Sequence, residues 1–191
     1  MKNATFYLLL IFFSLGVSQE NGWRWQQEVD YKMVIDVDVE NHTYKGTQRL
    51  LYTNNSPDDL DRVFYHLYFN AFKPGTDLEQ NSRYSTDDSR TMSRNILMLE
   101  EKDWGDVQIK WMLQDSVPVK FKVEETILEV ELASPIKAGE STVLEMEFFI
   151  QTPAMIRRSG KTAKTMLLFQ CLSGIPSFVS TMMRGGMRIH I

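Results

Sequence analysis

The chain has 191 residues, with 25 acidic against 21 basic side chains and a formal net charge of −4. That length holds one domain with a short appendage, and the acidic balance excludes the basic footprint of a nucleic-acid binder. Hydrophobic residues make up 43% and aromatics 12%, with only 10 Gly and 6 Pro, which excludes a disordered or collagen-like chain and leaves enough apolar surface for a core.

The first element is an export signal. Lys2 precedes an apolar run, Phe6-Tyr7-Leu8-Leu9-Leu10-Ile11-Phe12-Phe13, and the small residues Gly16 and Ser18 follow. A basic start, a run of about ten apolar residues and small residues after it fit a secretory signal. A membrane span needs about 20 apolar residues, so this run is too short to be one. A signal peptide over residues 1–18 is expected, with cleavage after Ser18, a secreted or periplasmic location and no membrane span in the mature chain. Asn41-His42-Thr43 and Asn54-Asn55-Ser56 are glycosylation sequons.

The mature chain then reads as strands. Tyr31, Met33, Ile35, Val37 and Val39 alternate with Lys32, Val34, Asp36, Asp38 and Glu40, a period of two that buries one face. A turn at Asn41-His42-Thr43 leads into a second strand over residues 44–53, where Gly46 marks a candidate bulge. Asn54-Asn55-Ser56-Pro57-Asp58-Asp59 is a loop signal. Residues 63–69 are apolar or aromatic at nearly every position, which predicts a central strand buried on both faces. Residues 73–105 form a long excursion in which Met92, Ile96 and Leu99 have the spacing of a short amphipathic helix. Further strands are predicted over residues 107–113, 119–123, 127–132 and 142–151. The fold class is therefore all-β, an antiparallel sandwich or saddle of about seven or more strands.

Charge divides the mature chain. Residues 19–147 carry 25 acids and 14 bases, whereas residues 148–191 carry no acid and six bases: Arg157, Arg158, Lys161, Lys164, Arg184 and Arg188. The same stretch holds five of the 11 methionines and the single cysteine, Cys171. Such a shift marks either a basic tail for an acidic partner or sequence not selected with the rest.

Few residues here carry chemistry. One cysteine excludes an intrachain disulfide framework, and three histidines, His42, His66 and His190, leave little material for zinc. None of the three is followed by Glu, so an H-E-x-x-H zinc helix is absent. No Gly-rich phosphate loop and no G-x-S-x-G elbow is present. Asp87-Asp88 and Glu100-Glu101 with Asp103 lack the spacing of a calcium loop and read as a solvated acidic loop. His66, among Tyr65, Leu67 and Tyr68, reads as a hydrogen-bonded core histidine. Trp23 and Trp25 read as packing for the first strand, with sugar stacking as the alternative. Arg157-Arg158 has the form of a carboxylate clamp but reads as a surface or interdomain loop.

Several strings carry a resemblance. Trp25-Gln26-Gln27, Tyr31-Lys32-Met33, Asn41-His42-Thr43-Tyr44-Lys45-Gly46 and Leu51-Tyr52-Thr53-Asn54-Asn55-Ser56-Pro57 stand in the first third. Val63-Phe64-Tyr65-His66-Leu67-Tyr68-Phe69-Asn70-Ala71-Phe72-Lys73-Pro74-Gly75 and Ile156-Arg157-Arg158-Ser159-Gly160 follow. Together they resemble the N-terminal domain of exported bacterial zinc aminopeptidases of the aminopeptidase N and leukotriene hydrolase family, over roughly residues 25–164. The resemblance implies a saddle-shaped β domain that covers the active-site cleft of a following thermolysin-like domain. That second domain carries the zinc helix and a G-x-M-E-N substrate loop, and neither motif occurs in this sequence. The implied cofactor is zinc in the full-length family and none in this chain. The implied partners are peptide substrates of the full-length family, with no nucleic acid. No catalytic, substrate-binding or metal residue is assigned in this sequence. The competing function is a stand-alone secreted β-sandwich binding module for glycan or protein.

The resemblance breaks after Lys164. The family pattern continues with a string like Ala-Leu-Ser-Met-Ser-Gln-Trp-Tyr-Pro-Lys, whose Gln helps bind the substrate's free α-amine. This chain reads Leu168-Phe169-Gln170-Cys171-Leu172-Ser173-Gly174-Ile175-Pro176-Ser177, and Gln170 is not the equivalent. Codons permitted for these residues, read from one base earlier, spell the family string. The remaining residues to Ile191, read in that frame, can continue it as Leu-Cys-Glu-Tyr-Asp-Asp-Glu-Gly-Trp-His-Ala-His-Pro-Tyr. A frameshift near Thr165 accounts for the missing acids and the lone cysteine together. The expected organisation is a signal peptide over 1–18, a β domain over 19–164 that is incomplete at its C-terminus, and an aberrant, disordered tail over 165–191. An unpaired sheet edge near residues 142–151 is expected from the missing strands.

Overall fold

The alternation read from the sequence is realised in two sheets. The computed structural model describes residues 26–84, 94–153 and 176–178. The described strands are β1 (Glu28–Asp38), β2 (Thr43–Thr53), β3 (Leu60–His66), β4 (Asp106–Gln114), β5 (Val117–Pro118), β6 (Lys120–Glu124), β7 (Ile127–Ile136), β8 (Ser141–Gln151) and β9 (Ser177–Phe178). A helix, α1 (Asp77–Arg83), and two 3-10 turns, Tyr68–Ala71 and Glu101–Asp103, lie between β3 and β4. One sheet has the order β1-β2-β8-β4-β5 and the other β6-β7-β3-β9, and the pairings are antiparallel. Tyr31, Met33, Leu50, Tyr52, Leu144, Met146 and Phe148 of the first sheet share one core with Val63, Tyr65, Leu128 and Val130 of the second. The architecture is thus an all-β sandwich, as the alternation predicts.

Four expectations change in detail. β1 buries Val29, Tyr31 and Met33, but Val37 is 41% and Val39 60% exposed. Alternation fixes which face a residue takes; burial needs the opposite sheet above it. Gly46 is no bulge, because β1–β2 and β2–β8 keep unbroken register across it. A Cβ there would lie 2.6 Å from the Val34 carbonyl oxygen and 2.9 Å from Cζ of Phe148. The glycine therefore makes room for a buried ring. Residues 63–69 are buried on one face only: Val63, Tyr65, Leu67 and Phe69 face inward, while Phe64 and Tyr68 are 38% and 48% exposed. β3 ends at His66, and the chain turns into the 3-10 segment rather than continuing as a strand. Finally, β8 is no edge. It lies between β2 and β4 with 11 and eight paired residues respectively, and its burial alternates along its whole length. β4 returns from the 73–105 excursion to cover the edge that the sequence leaves open.

The excursion holds more helix than predicted. Thr76 caps α1 with its hydroxyl, which accepts from the Glu79 amide. A helical turn follows at residues 94–97, where Ile96 is fully buried and Leu99 packs against it. Met92, the first residue of the predicted amphipathic set, lies outside the described residues, as do the signal segment, Trp23, Trp25, Asp87-Asp88, Arg157-Arg158, Cys171 and His190. Within the segment expected to be an aberrant tail, residues 176–178 are described, and β9 pairs with β3.

Candidate functional site

The strings that carry the resemblance place their polar side chains at loop junctions. Asn54 ends β2 and is fully buried. Its Oδ1 accepts from Gln27 Nε2 at 3.2 Å, from the Ser56 amide at 3.1 Å and from Ser56 Oγ at 2.6 Å. Its Nδ2 donates to the carbonyls of Asp58 at 2.8 Å and Ile136 at 3.1 Å. The Asn54 backbone N–H donates to Glu140 O, and its carbonyl accepts from the Gly139 N–H. One side chain thus ties the N-terminal segment, the β2–β3 loop and β7 together. At this sequon asparagine both amide protons are engaged inside the fold.

Asn70 does the same on the other side. Its Nδ2 donates to the Glu125 carbonyl at 2.9 Å and its Oδ1 accepts from the Val107 amide at 2.8 Å. It joins the 3-10 turn after β3 to the β6–β7 turn and to the start of β4. Lys73 pairs with Asp106 beside it.

Three further polar groups were not singled out from the sequence. Glu79 is fully buried on α1, and its carboxylate accepts from Arg83 Nε at 2.5 Å and from the second guanidinium nitrogen at 2.7 Å. That ion pair holds the Arg83 guanidinium above its usual pKa. Glu79 also accepts from the Gly75 amide at 3.3 Å. The Thr76-Asp77-Leu78-Glu79 spacing of a capping box was the available signal. Gln114 donates to Ser134 O and to Thr142 Oγ1, and accepts from the Ser134 amide, bridging β4 to β7 and β8. Gln48, on the inner face of β2, is 2% exposed; its Nε2 donates to the Pro176 carbonyl at 2.9 Å, while its Oε1 has no partner among the described residues.

The chemistry available from these groups is structural. His66 is half-buried rather than in the core, and it stacks on Tyr68 with centroids 4.9 Å apart. His42 occupies the β1–β2 turn at φ 56°, beside Asp38. The Asn41 side chain and backbone, donating to the Asp38 carboxylate, hold that carboxylate below its usual pKa. Among the described residues no three His, Cys, Asp or Glu side chains converge, so the donor set does not fit a zinc ion and no step through zinc is derived for this chain. Glu100, Glu101 and Asp103 form an exposed 3-10 turn in which Lys102 pairs with Glu100. Among the described residues no helix is long and apolar enough to cross a membrane.

No protein-family model matches the chain, and no curated relative matches it. Solved structures do. One is an M1 zinc metallopeptidase from Deinococcus radiodurans, crystallised as a mutant bound to a Tyr-Ser-Ala substrate: 11% identity, TM-score 0.43, covering 69% of this chain and 22% of that one. A second crystal structure of the metallopeptidase from that organism is 13% identical with TM-score 0.43, covering 70% of this chain and 23% of its own. The chain thus spans less than a quarter of the length of the solved structures it matches.

Proposed function

We propose that the chain is the exported, non-catalytic N-terminal β domain of a zinc aminopeptidase of the aminopeptidase N and leukotriene hydrolase family, out of frame after about residue 164. The observation that carries this reading is the pair of strings at residues 51–57 and 63–75. Their distinctive polar residues, Asn54 and Asn70, are loop fasteners in the fold. Such fastening suits a rigid covering domain. The parent protein would remove N-terminal residues from peptides, with zinc supplying an activated water. In this chain the sandwich supplies only a rigid wall, and the secretory signal directs it out of the cytoplasm.

The purified chain is therefore expected to hold no stoichiometric zinc and to release no residue from unblocked peptides. Metal analysis after dialysis, run beside a peptide-hydrolysis assay, reads both. One tightly bound zinc per chain together with aminopeptidase activity overturns the reading.

A further inference from the structure

We propose that the edge of β3 remote from β7, with the Gln48 carboxamide beneath it, is an acceptor for one extended strand, and that residues 176–178 of this chain are its occupant. The proposal stands on the geometry of these residues and does not depend on the aminopeptidase reading.

Backbone direction defines the acceptor. The Leu67 amide donates to Thr126 O at 2.7 Å, in line with the β3–β7 register. Amides alternate along an antiparallel strand, so those of Val63 and Tyr65 also face β7, and those of Phe64 and His66 face the other edge. On that edge His66 lies opposite Ser177 and Tyr65 opposite Phe178. His66 and Ser177 are thus placed to exchange their N–H and C=O groups. One residue before Ser177, the Pro176 carbonyl takes the Gln48 Nε2 bond, and Pro176 is itself buried. Gln48 reaches it from the opposite sheet, so the strand is held by its neighbour in the ladder and by a side chain from across the core. A carboxamide at 2% exposure, committed by only one of its two ends, is costly unless a backbone stays beside it.

Every contact named is to main chain. The β3 ladder and the bond to the Pro176 carbonyl are both made to main chain, so an extended backbone is enough to fill the acceptor, as in strand addition elsewhere. That bond also assigns Gln48 as a positioning residue for the strand formed by residues 176–178.

Amide hydrogen exchange on the full chain tests this, with Tyr65 and Leu67 as internal references that face β7. In the wild type, His66 should be protected. Ser177→Pro removes the donor opposite His66 and should raise its exchange at least tenfold while Tyr65 and Leu67 stay protected. Gln48→Leu should act in the same direction at His66. Ser177→Thr with Phe178→Val keeps the backbone and should leave protection unchanged. The proposal fails if His66 exchanges freely in the wild type, or if Ser177→Pro leaves it protected. It fails equally if the Thr/Val variant loses protection, because side chains would then make the contact. Protection that depends on protein concentration would assign the edge to a second copy and overturn residues 176–178 as the occupant.

Discussion

Asn54 shows how one side chain can replace a motif. Its five side-chain hydrogen bonds reach four residues in three segments, and it has no exposed surface. Asn54→Ala strands buried partners on each of them and should destabilise the domain by about 3 kcal/mol in urea unfolding, given a cost of about 1–3 kcal/mol per unsatisfied buried group. A loss below about 1 kcal/mol would mean that water replaces the amide. The same burial decides glycosylation. Expressed through a glycosylating secretory pathway, the chain should carry glycan at Asn41, which is exposed in the β1–β2 turn, and not at Asn54. Glycopeptide mass spectrometry separates the two sites. The sequon pattern is readable in a sequence; the engagement of an amide by Asp58 and Ile136, the latter 82 positions away, is not.

Strands were more legible than their neighbours. All seven segments with period-two or apolar runs contain strands, because alternation reports directly on a pleated surface with one buried face, although the run over residues 63–69 leaves its strand after His66. Pairing partners were harder to read. β8 was expected at an edge, yet β4, which begins 40 positions after β3 ends, closes on it; nothing in the residues of β8 names that partner. Gly46 also shows the limit, since a glycine in a strand reads as a bulge unless the facing Phe148 is known. Gly46→Val should cost at least about 2 kcal/mol, because the added atoms meet the Val34 carbonyl and the Phe148 ring in a packed core. A variant as stable as the wild type in thermal unfolding would show that this contact relaxes freely. In α1, Glu79→Ala should cost about 1–3 kcal/mol, and Arg83→Ala should cost no more than that, since the buried carboxylate keeps the Gly75 amide while the arginine side chain is half exposed.

For the molecule as a whole, the shared core sets its pH response. Burial pushes the Tyr52 phenol up to about 12 and the Tyr65 phenol well above its usual value, with Tyr31 adding to the second. In the unfolded chain both ionise near pH 10. The folded chain keeps its protons longer, so the stability these phenols contribute is complete below about pH 10 and is lost as pH rises toward about 12. The loss from Tyr52 alone is on the order of 2 kcal/mol by then. Urea midpoints at about pH 8 and about pH 11.5 should differ in that direction, and Tyr52→Phe should narrow the gap; equal midpoints would contradict the burial account. The sandwich was readable from its alternation, while the fasteners that make it rigid were not. Our proposal remains that the sandwich is a covering domain whose chemistry lies in another part of a longer parent protein. That claim is tested most directly by the coding DNA around codon 165. The account predicts that an alternative frame continues past this point without a stop, spells the Ser-Gln-Trp-Tyr string and runs on into an H-E-x-x-H helix. If no frame there continues into such a sequence, the assignment to a zinc aminopeptidase is contradicted.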